Sequence, residues 1–275
     1  MSRIIEIDFI RGIAVILMIV SHFGFFSIIT MKNLNYKYNQ FPKLGLSFDL
    51  LGTISHSLFI ILVGVNMVTS YNNTVKKIEK SQANSNINYR ISKKGENKNE
   101  INKQFTIKTI KRAFLILIFG ITMSLLVRWV FKDWLILFGI FQFIALSIII
   151  AIPFQLFYNP IVLTITFIIS ILIPNFFKKN NINLGTYFNI ILGNFTKNQV
   201  NYLDYFPIFP YFALILVGIF IGNLSNLPKF TNNLKKNKLI NQISHKGQYS
   251  IQLYFMHILL IFTVMKLLIT KKIKL

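Results

Sequence analysis

In the run IDFIRGIAVILMIVSH, from Ile7 to His22, an arginine and a histidine lie eleven residues apart. Eleven helical steps of about 100° return to nearly the same face, roughly 16 Å further along the axis. Arg11 and His22 therefore point the same way at different depths of a hydrophobic helix. Ionisable groups are costly in lipid and usually work there on a ligand, an ion or a proton. Three more polar side chains interrupt apolar runs: His56, Gln142 and His257. A histidine so placed can be a hydrogen-bonded core residue, a general acid or base, or a transient acyl carrier. Zinc is the competing use of imidazoles. No single helix offers a His-x₃-His pair and carboxylates are lacking at that depth, so no metal is expected.

Around these groups sit weaker candidates. Asp8 lies one turn before Arg11, and the i, i+3 spacing allows an ion pair that would simply neutralise both. Alternatively, Arg11 offers planar donors to a phosphate or carboxylate arriving from the cytoplasm. A phosphate there and a reactive group at His22 would suit the length of a coenzyme A arm. Asp49 lies one heptad before His56, while Ser55 and Asn66 can bridge helices. Asp204 precedes an apolar run in DYFPIFPYF, where Pro207 and Pro210 shape the start of the helix; it can hold an acceptor or cap that helix. Arg128, Lys132 and Asp133 read as interfacial anchors.

The elements that must position these residues are membrane spans. The chain has 275 residues, 53% of them hydrophobic, in runs too long for a water-soluble domain. Seven candidate spans fall at about 9–30, 46–70, 113–131, 134–157, 160–177, 205–222 and 249–269, each near the roughly 17–25 residues needed. The expected fold class is an all-α integral membrane protein, a bundle of about seven transmembrane helices in a single domain over 1–275. The first span carries Arg3, Glu6, Asp8 and Arg11 before its apolar core and is followed by no small-x-small cleavage site, so it reads as a retained signal anchor.

The net charge of +22 does not imply nucleic acid, because the lysines sit mainly in loops and tails. Eleven Lys/Arg fall from Lys76 to Arg112 and five from Lys229 to Lys246. With those two loops inside, the N-terminus is cytoplasmic and the C-terminus is outside. The opposite loops hold Lys32, Lys37, Lys43, Lys178, Lys179 and Lys197, so the bias is moderate. The stretch 71–112, with KKGENKNE at its centre, reads as a flexible basic cytoplasmic loop. Within 178–204, LGTYFNIILGNF (184–195) is apolar but too short to span, which fits an interfacial or re-entrant segment. With no cysteine, disulfides, thiolate metal sites and a cysteine nucleophile are excluded. On this topology His22 lies roughly 20 Å from the inner surface. His56 is about nine residues into its span, and Gln142 and His257 are each about eight residues into theirs. All four then fall at the middle or outer middle of the membrane, lining one polar cavity.

Five segments, in order, carry a resemblance: IDFIRGIAVILMIVSHF (7–23), SLFIILVGVNM (57–67), LFGIFQFIALSIII (137–150), DYFPIFPYFALILVGIFIG (204–222) and GQYSIQLYFMH (247–257). Together they resemble the prokaryotic membrane proteins that share the catalytic domain of heparan-α-glucosaminide N-acetyltransferase. The Arg-x₁₀-His spacing and the terminal Tyr-x-x-His are also similar to the wider transmembrane acyltransferase group. The resemblance implies transfer of an acetyl group from cytoplasmic acetyl-CoA, as co-substrate, to a sugar on the far side. It implies that Arg11 helps hold the coenzyme and that His22 is the central catalytic group, and His257 falls where these relatives place a histidine in the last helix. By spacing Asp8 joins Arg11 at the coenzyme, and by depth His56 joins the catalytic histidines. Gln142 and Asp204 would then face the acceptor. Relatives often read Gly-Ile-Leu-His where this chain reads GIFQ (139–142), and a glutamine cannot accept a proton as a base.

The expected function is thus a multi-pass acyl-CoA-dependent O- or N-acetyltransferase of the cell membrane. Its partners are the lipid bilayer and a glycan or lipid-linked sugar, and it is compatible with a homo-oligomer. The alternative is a transporter or flippase that uses the same polar cavity without acyl transfer.

Overall fold

A computed structural model describes residues 5–33, 42–83, 94–130, 134–194, 201–224 and 237–273. The elements, in order, are α1 (Ile5–Asn33), α2 (Pro42–Ala83), α3 (Lys94–Val130), β1 (Trp134–Phe138), α4 (Ile140–Leu156), α5 (Pro160–Lys179), α6 (Thr186–Leu192), β2 (Asn201–Tyr205), α7 (Ile208–Asn223), α8 (Lys238–Gln248) and α9 (Ser250–Ile273). The protein is an all-α membrane protein carrying one short pair of strands. Four of its helices, α1, α2, α3 and α5, are long and apolar enough to cross a membrane; α4, α7 and the first half of α9 are shorter apolar helices. Each of these seven helices overlaps one of the expected apolar runs. On α5 only Leu163 and Ser170 are buried, while Ile161, Ile165, Leu172 and Phe176 are exposed, a surface suited to lipid and not to water.

The chain divides into two compact units. The first holds α1, the first part of α2, α8 and α9, and the second runs from Val63 to Leu227. In the first, α8 crosses α1 at two glycines: a Cβ added at Gly247 would strike the Asp8 carbonyl, and one at Gly12 would strike the Ile243 carbonyl. Small residues let the two backbones touch there. Ser55 Oγ donates to the Ala14 carbonyl at 2.8 Å and Ser21 Oγ to the Phe48 carbonyl at 2.8 Å, tying α2 to α1. In the second unit, Phe105, Phe143, Val68, Ile215, Leu216 and Ile219 are fully buried. Ring contacts Phe143–Tyr211 and Phe154–Phe212 join α4 to α7. The strands β1 and β2 pair in parallel, with Trp134 opposite Asn201 and Phe138 opposite Tyr205.

Three expectations change. The span read at 134–157 begins as a strand, because WLILF finds a partner in NYLDY far along the chain; the helix starts only at Ile140. Gln142 is therefore in the first turn of α4 and not about eight residues into a span. The basic stretch 71–112, expected as a flexible loop, is helical to Ala83 and again from Lys94. Its buried residues recur at helical spacing: Thr74 and Ile78 on α2, and Phe105 and Thr109 on α3, are buried despite their lysine-rich neighbours. The third is α8, an amphipathic helix in what reads as a basic loop; the Asn237 side chain caps it by accepting from the Leu239 and Ile240 N–H groups. Lys132 and Asp133, residues 84–93, and Lys229, Lys235 and Lys236 lie outside the described residues.

Candidate active site

His22 stands in the second half of α1 and His257 in the first half of α9. Their side chains meet, His22 Nδ1 to His257 Nε2 at 2.9 Å, with the rings nearly parallel (11°) and their centroids 5.3 Å apart. His257 Nδ1 lies 3.0 Å from the Leu253 carbonyl, one turn earlier on α9. Tyr254 sets its ring edge-on to both imidazoles, at 6.2 Å from His22 and 5.3 Å from His257.

These contacts fix where the protons sit. A carbonyl only accepts, so His257 Nδ1 carries hydrogen and donates to Leu253. In a neutral ring the Nε2 of His257 is then an acceptor, so His22 Nδ1 must be the donor to it. That leaves His22 Nε2 unprotonated, with its lone pair available to take a proton or attack a carbonyl carbon. The chain Leu253 carbonyl, His257, His22 is a relay whose far end is an unprotonated nitrogen. Among the described residues no hydrogen bond engages His22 Nε2.

His56, on α2, hydrogen-bonds the Gly52 backbone one turn earlier. Gly52 lies against Ser21, the residue before His22: a Cβ added there would come within 2.7 Å of Ser21 Oγ. Arg11 shares the continuous helix α1 with His22, which sets the two about 16 Å apart along the axis. Arg11 Nη1 donates to Asp8 Oδ1 at 2.8 Å, the local ion pair that the i, i+3 spacing allows.

In the second unit Gln142 and Asp204 meet around the start of α4. Gln142 Nε2 donates to the Gly120 carbonyl at 3.0 Å and to Ser124 Oγ at 2.8 Å, clamping α4 on α3. The helices approach closely there, since a Cβ at Gly120 would lie 3.0 Å from the Gln142 amide carbon. Asp204 Oδ2 accepts from the Ile140 N–H at 3.0 Å. Gly139, the N-cap of α4, has no side chain to make that bond, so Asp204 caps the helix from β2. The reading of Asp204 as a cap thus holds for a different helix from the one that follows it. A Cβ at Gly139 would meet Asp204 Oδ2 at 2.9 Å and Gln142 Oε1 at 3.0 Å, so the two oxygens crowd the same point. Burial pushes the Asp204 carboxyl up to about 6, with the Ile140 N–H acting in the opposite direction.

The structure therefore brings together His22 with His257, Asp8 with Arg11, and Gln142 with Asp204. What sequence reasoning missed were their partners: the Leu253 carbonyl, the ring contacts of Tyr254, Ser124 and Gly120, and the Ile140 N–H. Only Tyr254 had a sequence signal, in its i, i+3 spacing to His257. Among the described residues no group of three metal-ligating side chains is present.

Residues 3–259 match the family described as heparan-alpha-glucosaminide N-acetyltransferase, catalytic. The chain belongs to that family. No curated protein and no solved structure matches it. The match takes in α1, with Arg11 and His22, and extends through His257 on α9, so both members of the histidine pair lie inside the catalytic family region. Membership supports an acetyltransferase activity in general for this membrane protein.

Proposed function

We propose that this chain moves an acetyl group from acetyl-CoA, bound from the cytoplasmic side, to a hydroxyl or amine of a glycan or lipid-linked sugar. The observation that carries the reading is the directed hydrogen bond from His22 to His257, which leaves an unprotonated Nε2 on the helix that also bears Arg11. As a general base, His22 Nε2 takes the acceptor's proton while its oxygen or nitrogen attacks the thioester carbonyl carbon. The C–S bond breaks, the new C–O or C–N bond forms, and the proton passes from His22 to the departing thiolate. As an acyl carrier, Nε2 itself attacks, and the Nδ1 proton moves to His257 Nε2, so that the acylated ring stays neutral. The acceptor then displaces the imidazole, and the pair returns to its starting state as the thiolate is protonated.

Arg11 holds a phosphate of the coenzyme, and Asp8 sets the direction of its guanidinium. His56 lines the same helix pair as a further polar group of the catalytic set. Gln142 and Asp204 shape the acceptor side as positioning residues, since their hydrogen bonds go to the α3 and α4 backbone and to Ser124. The acceptor-facing side lies outside the cell membrane in this proposal, and the 71–112 segment lies in the cytoplasm.

The test is transfer of radiolabelled acetate from acetyl-CoA by the purified protein to the glycan and lipid fraction of its own membranes. Label transfer or coenzyme release that is lost in a folded His22→Ala variant is expected. A protein that neither binds nor turns over coenzyme A overturns the proposal, and solute uptake or lipid flipping in liposomes without any acyl donor would install the transporter in its place.

A further inference from the structure

Where the apolar segments of α2 and α3 give way to polar sequence, three cations converge. Arg112 Nη1 donates to Ser70 Oγ at 3.3 Å, and Lys108 lies within electrostatic reach of both Arg112 and Lys77. Among the described residues none of the three forms an ion pair with a carboxylate. Glu100, the acid closest in sequence to Lys108, is engaged by Gln104, whose Nε2 donates to it at 2.9 Å. The backbone that carries the cluster is firmly packed. Tyr71 OH donates to Asn102 Oδ1 at 3.4 Å, the Tyr71 ring stands edge-on to Phe105, and Phe105 is fully buried. Three like charges held together repel one another, and a bound anion would relieve that repulsion.

What continues from the cluster identifies the anion. Lys108, Arg112, Leu115 and Phe119 follow one another at i, i+4, i+7 and i+11, so they share one face of α3 over about 16 Å. Leu115 is 59% exposed and Phe119 40% exposed. One helix face thus presents cations and then apolar side chains. A soluble phosphate would use only the first half of that stripe, whereas an amphiphile uses both.

We propose that Lys77, Lys108 and Arg112 bind the phosphate of an anionic phospholipid, whose acyl chain lies along Leu115 and Phe119. Ser70 presets the Arg112 guanidinium, and the two lysines supply point charges on either side of it.

The experiment is native mass spectrometry of the full-length protein released from micelles that contain equal amounts of phosphatidylglycerol and phosphatidylcholine. The wild type should retain phosphatidylglycerol in preference. Lys108→Gln/Arg112→Gln should lower that retention about tenfold, in keeping with two lost charge-assisted contacts, and Arg112→Lys should restore part of it. Lys77→Gln/Lys108→Gln leaves the Ser70 bond intact and should give a similar loss, which covers the case in which the first pair misfolds. Lys178→Gln/Lys179→Gln removes the same charge at the end of α5 and should leave retention unchanged. Equal loss in that control, or equal retention of the two lipids by the wild type, overturns the proposal. So does displacement of the bound lipid by inorganic phosphate or by coenzyme A, either of which would assign the cluster to a soluble phosphate.

Discussion

The histidine pair on α1 and α9 and the Gln142–Asp204 cluster at the start of α4 begin alike, as polar side chains among apolar helices. They differ in what their polar atoms are left to do. In the first, two side chains bond each other and a backbone carbonyl accepts at one end, so an unprotonated nitrogen remains at the other. In the second, both amide protons of Gln142 go to Gly120 and Ser124, and Asp204 takes a helix N–H that would otherwise have no side-chain cap. A ring nitrogen left unbonded keeps a lone pair for chemistry, whereas a side chain whose donors or acceptor hold neighbouring helices acts as a structural clamp. Gln142 is a clamp by this measure.

The comparison can be broken at either end. The largest effect expected is from His22→Ala: acetyl transfer falls by about a thousandfold, in the range of a lost general base, while the melting temperature in detergent hardly moves. A variant that keeps its activity would remove His22 from the chemistry. His257→Ala should lower activity by about a hundredfold, because the His22 tautomer is no longer enforced. Here the pH–rate profile is the readout, which a merely structural role would leave in place. Gln142→Ala should do the reverse of His22→Ala and cost about 1–3 kcal/mol of stability, since Ser124 and the Gly120 carbonyl lose a buried donor. Activity per folded molecule should stay near wild type; a loss as deep as that of His22→Ala would make Gln142 catalytic and end the contrast.

The smallest effect concerns Asp204. Unfolded, it titrates near its ordinary 3.8, and folded it is pushed up to about 6. Between those values the folded state binds more protons, so stability falls as pH rises and the loss is complete above about 6. Thermal melts from pH 4 to 7 should show that decline in the wild type. In Asp204→Asn, which keeps an acceptor for Ile140, the decline should flatten; an unchanged slope would place the titration elsewhere.

Several features were legible in the chain itself. Arg11 and His22 share a continuous helix, and a periodicity of 3.6 residues suffices to put them on one face. The Asp8–Arg11 bond needed only an i, i+3 spacing, and it formed. By contrast, nothing local to His22 says that its partner lies 235 residues away. WLILF read as the beginning of a span because its apolar run continues into the next helix. It became a strand because NYLDY was available to pair with it, and hydropathy does not record a distant partner. The lysine-rich sequence around Phe105 read as a loop because composition averages over both faces of a helix, whereas burial concerns only one.

Membership of the membrane class and the approximate position of its apolar helices were determined by sequence alone, since the length and polarity of a run decide whether it tolerates lipid. So was the choice of residues able to do chemistry, because side-chain type sets what can accept a proton or carry an acyl group. Only the tertiary structure decided which of them were free to act. It bonded His22 to His257 in a way that leaves one nitrogen unprotonated, and it spent the Gln142 amide on Gly120 and Ser124 and Asp204 on the Ile140 N–H. Hydrogen-bond satisfaction is a property of partners, and partners are chosen when the chain folds.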